Sequence, residues 1–217
     1  MSVYLLDKRL LFPPVSEADQ EGLLAVGGDL STERLLLAYR SGIFPWYSGR
    51  TPQWYSPDPR FVLIPDELKV SHSMKPLLKK KAFEFTTNTA FAEVIQNCKT
   101  QPREGQFGTW ITDDMKAAYI RLHQQGFAHS AEVWQEGKLV GGLYGVKIGR
   151  VFFGESMFSL VSNASKYAFI SYVQQLKEEG IQLIDCQVYT PHLESLGAIM
   201  ISREEFVEVV RMLTRGA

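Results

Sequence analysis

Residues 129–159 hold three β-type segments joined by two-residue turns, and few folds accommodate such a run. His129–Gln135 turns at Glu136-Gly137 into Leu139–Ile148, which turns at Gly149-Arg150 into Val151–Ser159. A glycine in a short loop supplies the positive φ that tight hairpins need, so the run reads as one antiparallel meander. The next residues supply a cover for it. Asn163–Glu179 has the length and pattern of a long helix closed by Gly180, and Leu183–Val188 reads as a further strand. Strands in succession, then a helix, then another strand describe an α+β chain.

Upstream the texture changes. Pro13-Pro14, Gly27-Gly28, Gly42, Pro45, Pro52, Pro57 and Pro59 punctuate the first sixty or so residues, the pattern of a small irregular unit. It holds one good helix, capped by Ser31 and stopped at Gly42. Phe61-Val62-Leu63-Ile64 reads as a short buried strand, and the division into a small N-terminal domain (1–63) and a larger one (64–217) is drawn there. Further on, Ser71 caps a segment ending in Lys79-Lys80-Lys81, and Phe83–Thr87 alternates as a strand. Thr89 and Thr112 open two helices, and a last helix runs from about Arg203 to Met212.

Composition narrows the function. Hydrophobic residues make up 45% of the 217, enough to bury a core, and the formal net charge of -1 excludes a globally basic mode of nucleic-acid binding. The two cysteines, Cys98 and Cys186, fit no disulfide framework. With neither a signal-peptide pattern nor a membrane-length apolar stretch, the cytoplasm is the expected compartment. His72, His123, His129 and His192 show no metal spacing, and no nucleophile elbow or Walker loop occurs. Three antiparallel strands, a helix and a strand follow the order of the acetyltransferase-like (GNAT) superfamily. The glycine turn that binds a coenzyme A pyrophosphate is missing, because Phe158–Lys166 contains no glycine. Another donor must bring the acyl group.

Strand alternation puts Phe153, Glu155 and Met157 on one face. A carboxylate between two large apolar neighbours is costly unless it is ion-paired or used. Asp185 and Gln187 likewise share a face and either hydrogen-bond each other or cap the turn at Tyr189-Thr190-Pro191. Phe44-Pro45-Trp46-Tyr47, Trp54-Tyr55 and Trp110 sit in or beside loops, where rings stack on nucleobases or pack between domains. Lys79-Lys80-Lys81 reads as a solvated helix end or, with Arg40, Arg50, Arg60, Lys69 and Lys75, as a phosphate-binding rim.

Several longer strings stand in fixed order. Gly22–Ser31 is followed by Gly42-Ile43-Phe44-Pro45-Trp46, Trp54–Arg60 and Gly108-Thr109-Trp110-Ile111-Thr112. Then come His129–Trp134, Gly154-Glu155-Ser156-Met157-Phe158-Ser159, Asn163-Ala164-Ser165-Lys166 and Leu183-Ile184-Asp185-Cys186-Gln187. Together they resemble the signature segments of the leucyl/phenylalanyl-tRNA–protein transferases, from about Phe12 to beyond Arg203. The resemblance implies a small N-terminal domain and an acetyltransferase-like C-terminal domain with a mostly antiparallel sheet. It also implies transfer of Leu or Phe, and sometimes Met, from tRNA to proteins that begin with Arg or Lys, marking them for the N-degron pathway without metal or coenzyme.

The resemblance assigns roles residue by residue. The Gln187 carbonyl accepts a hydrogen bond from the attacking amine, Asp185 polarises Gln187, and Glu155 holds the reacting ends and favours a basic acceptor. Trp46 and Trp110 hold the 3′-terminal adenosine. Leu143, Met157 and Tyr172 form the donor side-chain pocket, and Arg60, Lys75, Lys79, Lys80 and Lys81 are expected to meet tRNA. A monomer is expected, since tRNA and a protein must both reach the site. The readings set against this one are a cell-wall peptidyltransferase, an acetyltransferase and a non-catalytic tRNA-binding module.

Overall fold

The computed structural model describes residues 3–101 and 111–216. The meander forms as read: β7 (Ala128–Gln135), β8 (Lys138–Ile148) and β9 (Val151–Ser159) pair antiparallel in turn. Glu136 and Gly137 both adopt left-handed φ, at 52° and 71°, which matches the turn twist to the strand twist. The helix α5 (Ala164–Glu178) then carries the chain back across the sheet, and β10 (Leu183–Gln187) pairs parallel to β9. A helical crossover returns the chain to the same end of the sheet, so a parallel pair is the outcome.

Against the expectation of a mostly antiparallel sheet, that pair makes the sheet mixed. The seven-stranded sheet is mixed, in the order β11-β5-β10-β9-β8-β7-β6, with β5 at Arg60–Leu63, β6 at Glu84–Thr87 and β11 at Ile199–Ile201. A second, four-stranded sheet is also mixed: β1 (Tyr4–Leu6) is parallel to β2 (Leu23–Gly27), while β3 (Phe44–Pro45) and β4 (Gln53–Tyr55) complete it antiparallel.

The division at 63/64 does not follow the strand pairing. β5 lies before it, yet pairs with β10 and β11 inside the large sheet. Its four residues are all buried, which suits an inner strand covered on both sides. The core crosses the line as well. Leu24, Tyr39 and Trp54 belong to one buried cluster with Ile95, Tyr119, Tyr144 and Phe153. That cluster draws on α1 (Thr32–Arg40), α3 (Phe91–Thr100), α4 (Asp113–Gln124) and α7 (Arg203–Leu213). On the other face α5 and α2 (Met74–Lys79) bury Phe61, Leu143, Phe152, Tyr172 and Val173.

The helix starts follow their caps. Ser31, Thr112 and Ser202 each accept a hydrogen bond from the backbone N–H three residues on. Two caps read from the sequence differ. The residue preceding α2 is Ser73, while the Ser71 carbonyl accepts from Met74 N and Lys75 N. Ala90 precedes α3, and the Thr89 hydroxyl instead donates to the buried Glu132. The short α6 (Pro191–Ser195) was hidden from the pattern by its single turn and a half. Gly141 has a packing role: a Cβ there would stand 2.6 Å from that of Ala164, so the glycine lets α5 approach β8. No helix among the described residues is long and apolar enough to cross a membrane.

Candidate active site

The parallel strands β9 and β10 pair only as far as Phe153 and Asp185. Beyond that point both strands are bulged. The β8–β9 register passes from Tyr144↔Ser156 to Gly145↔Gly154, leaving Glu155 without an opposite residue. The β10–β5 register slips between Asp185 and Gln187, and Gln187 takes a left-handed φ of 64°. A bulge adds a residue and bends its strand, so each deviation turns one polar side chain toward the gap between the strand ends. Clefts in such sheets form where neighbouring strand ends part.

The gap is a cleft of about 420 Å³, within the range of small-ligand sites. Its apolar part is lined by Leu143, Phe152, Met157, Phe169, Ile184 and Leu193, and its polar part by Glu155, Ser156, Gln187, Thr190 and His192. Phe44, Pro45 and Trp46 form the lip. Trp46 is 37% exposed and leans edge-on against Tyr55, with ring centres 5.4 Å apart.

Glu155 meets no cation among its described partners. Tyr39 Oη donates to its Oε1 at 2.6 Å, Tyr119 Oη to its Oε2 at 2.8 Å, and Gln187 Nε2 to its Oε1 at 3.0 Å. The two tyrosine oxygens are themselves 2.5 Å apart. Burial pushes the Glu155 carboxyl up from 4.5 to about 7, and the neighbouring Asp185 charge adds to the rise, against the lowering effect of the three donors. The rise corresponds to about 3 kcal/mol against the charged form. Both phenols are pushed well above 10 by their own burial and by the Glu155 charge, so they remain donors.

Asp185 is held differently. Arg60 Nε and Nη2 grip its two oxygens at 2.8 and 2.7 Å, and Gln187 N–H donates to Oδ1 at 2.9 Å. The guanidinium also donates to the Gly42 carbonyl and lies between the rings of Phe44 and Phe206, 4.6 and 4.5 Å from their centres. A planar fork matches both a carboxylate and two ring faces, which Lys would not. With Nε2 donating to Glu155, the polar atom left to the Gln187 amide is its carbonyl oxygen, an acceptor.

Comparison with known proteins gives this geometry its setting. A family model described as leucyl/phenylalanyl-tRNA protein transferase matches residues 62–211, and one for the N-terminal domain of that transferase matches 28–58. The chain belongs to the leucyl/phenylalanyl-tRNA–protein transferase family. Relatives carrying that name include one from Flavobacterium johnsoniae, 59% identical over 96% of this chain and 99% of its own. Another, from Syntrophobacter fumaroxidans, is 56% identical over 97% of this chain and 90% of its own. Among solved structures, L-PGS from Bacillus licheniformis is 12% identical, with a TM-score of 0.46 over 88% of this chain and 73% of its own. A GCN5-related N-acetyltransferase from Anabaena variabilis is 14% identical, with a TM-score of 0.41 over 83% of this chain and 44% of its own.

Set beside the roles implied for this family, the structure brings Glu155, Asp185, Gln187, Trp46, Leu143 and Met157 to one cleft and arranges some of them differently. Met157 does not share a face with Phe153 and Glu155. Phe153 packs in the cluster that includes Tyr39 and Tyr119, while Met157 packs in the cluster of Leu143 and Phe152. The bulge at Glu155 inverts the alternation between them. Asp185 does not polarise the Gln187 amide; it receives the Gln187 backbone N–H, and its charge is matched by Arg60. Arg60 is 1% exposed, so it is not on a phosphate-binding rim. Tyr172 stands behind the cleft wall, edge-on to Phe152 at 5.2 Å. Trp110 lies outside the described residues.

Pattern reading missed Phe152, Phe169, Tyr39 and Tyr119. For the tyrosines a signal existed. Each falls in the apolar stripe of its helix, and a buried phenol needs a partner for its hydroxyl.

Proposed function

We propose that this chain moves Leu, Phe or Met from aminoacyl-tRNA to the α-amino group of proteins that begin with Arg or Lys. The product would enter the N-degron pathway, and we place the reaction, by a monomer, in the cytoplasm. The observation that carries this reading is the buried Gln187–Glu155 hydrogen bond on the polar side of a largely apolar cleft. The cleft takes the donor side chain between Leu143, Met157 and Phe169, without any contact that distinguishes Leu from Met by charge or hydrogen bonding.

An aminoacyl ester is already activated, so the enzyme need only place an amine beside the carbonyl and manage protons. The Gln187 carbonyl oxygen accepts from the attacking nitrogen, and its fixed left-handed backbone holds that acceptor in place. Glu155 is the carboxyl at the cleft wall whose described partners include no cation, and it is the group available to a basic acceptor. Asp185 is a positioning residue: locked by Arg60, it fixes the turn that presents Gln187. Trp46 at the lip, with Trp110, receives the terminal adenosine. Lys75, Lys79, Lys80 and Lys81, all exposed on or just after α2, meet tRNA phosphates.

The test is transfer of label from [¹⁴C]Leu-tRNA to a peptide beginning with Arg, with a Glu-starting peptide as control. Label on the Arg peptide alone supports the reading. Tight tRNA binding without transfer would leave a binding module.

A further inference from the structure

The contacts around Glu155 contain a proton count that the mechanism above does not use. Three close oxygen pairs surround the carboxyl: Tyr39 with Oε1 at 2.6 Å, Tyr119 with Oε2 at 2.8 Å, and Tyr39 with Tyr119 at 2.5 Å. The two contacts to the carboxyl have O–H···O distances, the Tyr39–Tyr119 contact is shorter than an ordinary hydrogen bond, and each such bond needs its own proton. Two phenols supply two. If both donate to a carboxylate, the tyrosine oxygens face each other at 2.5 Å with no proton between them. A third proton removes the conflict, and Glu155 is the group in the ring that can bring it.

The direction of the ring follows from Gln187. Its Nε2 donates to Oε1, as does Tyr39, so Oε1 is a double acceptor and the acid proton belongs on Oε2. In the acid form the Tyr119 contact therefore reverses its carboxylate direction: Oε2–H donates to Tyr119, Tyr119 to Tyr39, and Tyr39 back to Oε1, closing a circle in which each bond polarises the next. Among the groups facing this carboxyl, Tyr39 comes from α1, Tyr119 from α4, and Asp185 and Gln187 from β10. The Tyr144 phenol on β8 stands behind both tyrosines, its ring edge-on to that of Tyr119. Among the described residues, the cation beside these groups, Arg60, is committed to Asp185. The burial that raises the Glu155 carboxyl acts in the same direction.

We propose that Glu155 stands in the empty cleft as an un-ionised acid, closing a ring with Tyr39 and Tyr119, and that during transfer it takes a proton from the acceptor ammonium. This rests on the transfer reaction proposed above. An acceptor arriving as an ammonium displaces the acid proton to solvent and pairs with the carboxylate. The Glu155 carboxylate takes one proton and frees the nitrogen electron pair; as the nitrogen bonds to the ester carbon, the bond from that carbon to the ribose O3′ breaks and its electron pair leaves with O3′. The nitrogen has three hydrogens as an ammonium and keeps one as an amide. Of the two it loses, one goes to Glu155 and one to O3′. The product leaves the ring closed again, with Glu155 as the acid. Tyr39 and Tyr119 stand behind Glu155, outside the residues that line the cleft, and act as positioning residues that store the proton.

The experiment is an infrared pH titration of the full-length empty protein, as the difference between wild type and Glu155→Gln. The expected result is a protonated-carboxyl band assigned to Glu155 that disappears with a midpoint near 7. A Glu155 that is already a carboxylate throughout the range above pH 5 overturns the proposal. Opening the ring with Tyr39→Phe separates this account from simple stabilisation of an anion by two hydroxyls. Losing a donor to an anion moves the midpoint up, whereas losing the closed ring removes the advantage of the acid and moves it down. Tyr119→Phe gives the same reading if Tyr39→Phe folds poorly, and an upward shift in the folded variant overturns the ring. The acidic limb of kcat/KM for an Arg peptide should follow the same midpoint and the same downward shift. Absence of transfer by the wild type at every pH would refute the transferase reading, whereas transfer with no Glu155-dependent limb would refute this one alone.

Discussion

The two buried carboxyls of this cleft are near neighbours held by opposite means. Asp185 has a guanidinium on both oxygens, whereas Glu155 has two phenols and an amide. A cation fixes the charge of its partner and so makes a structural post. Neutral donors satisfy a carboxyl without fixing its charge, and burial then brings its titration toward neutrality. The pair shows how one site separates rigidity from proton chemistry: β10 carries the post, and β9 carries the group that changes.

The largest effect expected from this contrast is on stability. Arg60→Ala leaves Asp185 buried and unpaired and should cost about 3–5 kcal/mol, read by urea unfolding. Replacing both Arg60 and Asp185 by apolar residues should recover much of that loss. A single variant within about 1 kcal/mol of wild type would erase the distinction between the two carboxyls.

Next in size is a pH effect confined to Glu155. Its folded value, about 7, lies above the ordinary 4.5, so between these limits the folded protein holds a proton that the unfolded chain has released. Stability from this group is therefore complete below about 4.5 and falls by about 3 kcal/mol as pH rises through 7. The difference between wild type and Glu155→Gln should show that fall, and a flat difference would mean the carboxyl is not perturbed.

Gln187→Ala sharpens the comparison from the side of catalysis. It should reduce kcat for transfer about a hundredfold, near 2.7 kcal/mol, while the melting temperature changes little. A comparable loss of stability would make Gln187 a second structural post. Smallest is the wall behind the cleft. Phe169→Ala should raise KM for the donor by about tenfold through lost apolar contact, while Tyr172→Phe, one layer back, should stay within about twofold.

Much of the scaffold was legible because its signals are local. The turns at Glu136-Gly137 and Gly149-Arg150 set the meander, and Ser31 and Thr112 set helix starts through bonds spanning three residues. The site was legible only in its residue types. Alternation assigned Met157 to the face of Glu155 because period two has no term for a bulge, and one inserted residue reverses every assignment beyond it. Arg60 looked like surface charge because its partner lies 125 residues away and only the β5–β10 pairing reveals it. Tyr39 and Tyr119 read as helix stripe residues; nothing in periodicity shows that two helices aim their hydroxyls at the same carboxyl.

The placement of β5 has a consequence for the order in which the protein comes into being. Its neighbours in the sheet, β10 and β11, are made more than a hundred residues after it. A ribosome therefore exposes Tyr39 and Arg60 long before Asp185 and Gln187 exist to meet them. The cleft therefore cannot close until β10 and α6 are made, because they supply Asp185, Gln187 and Leu193 to its lining.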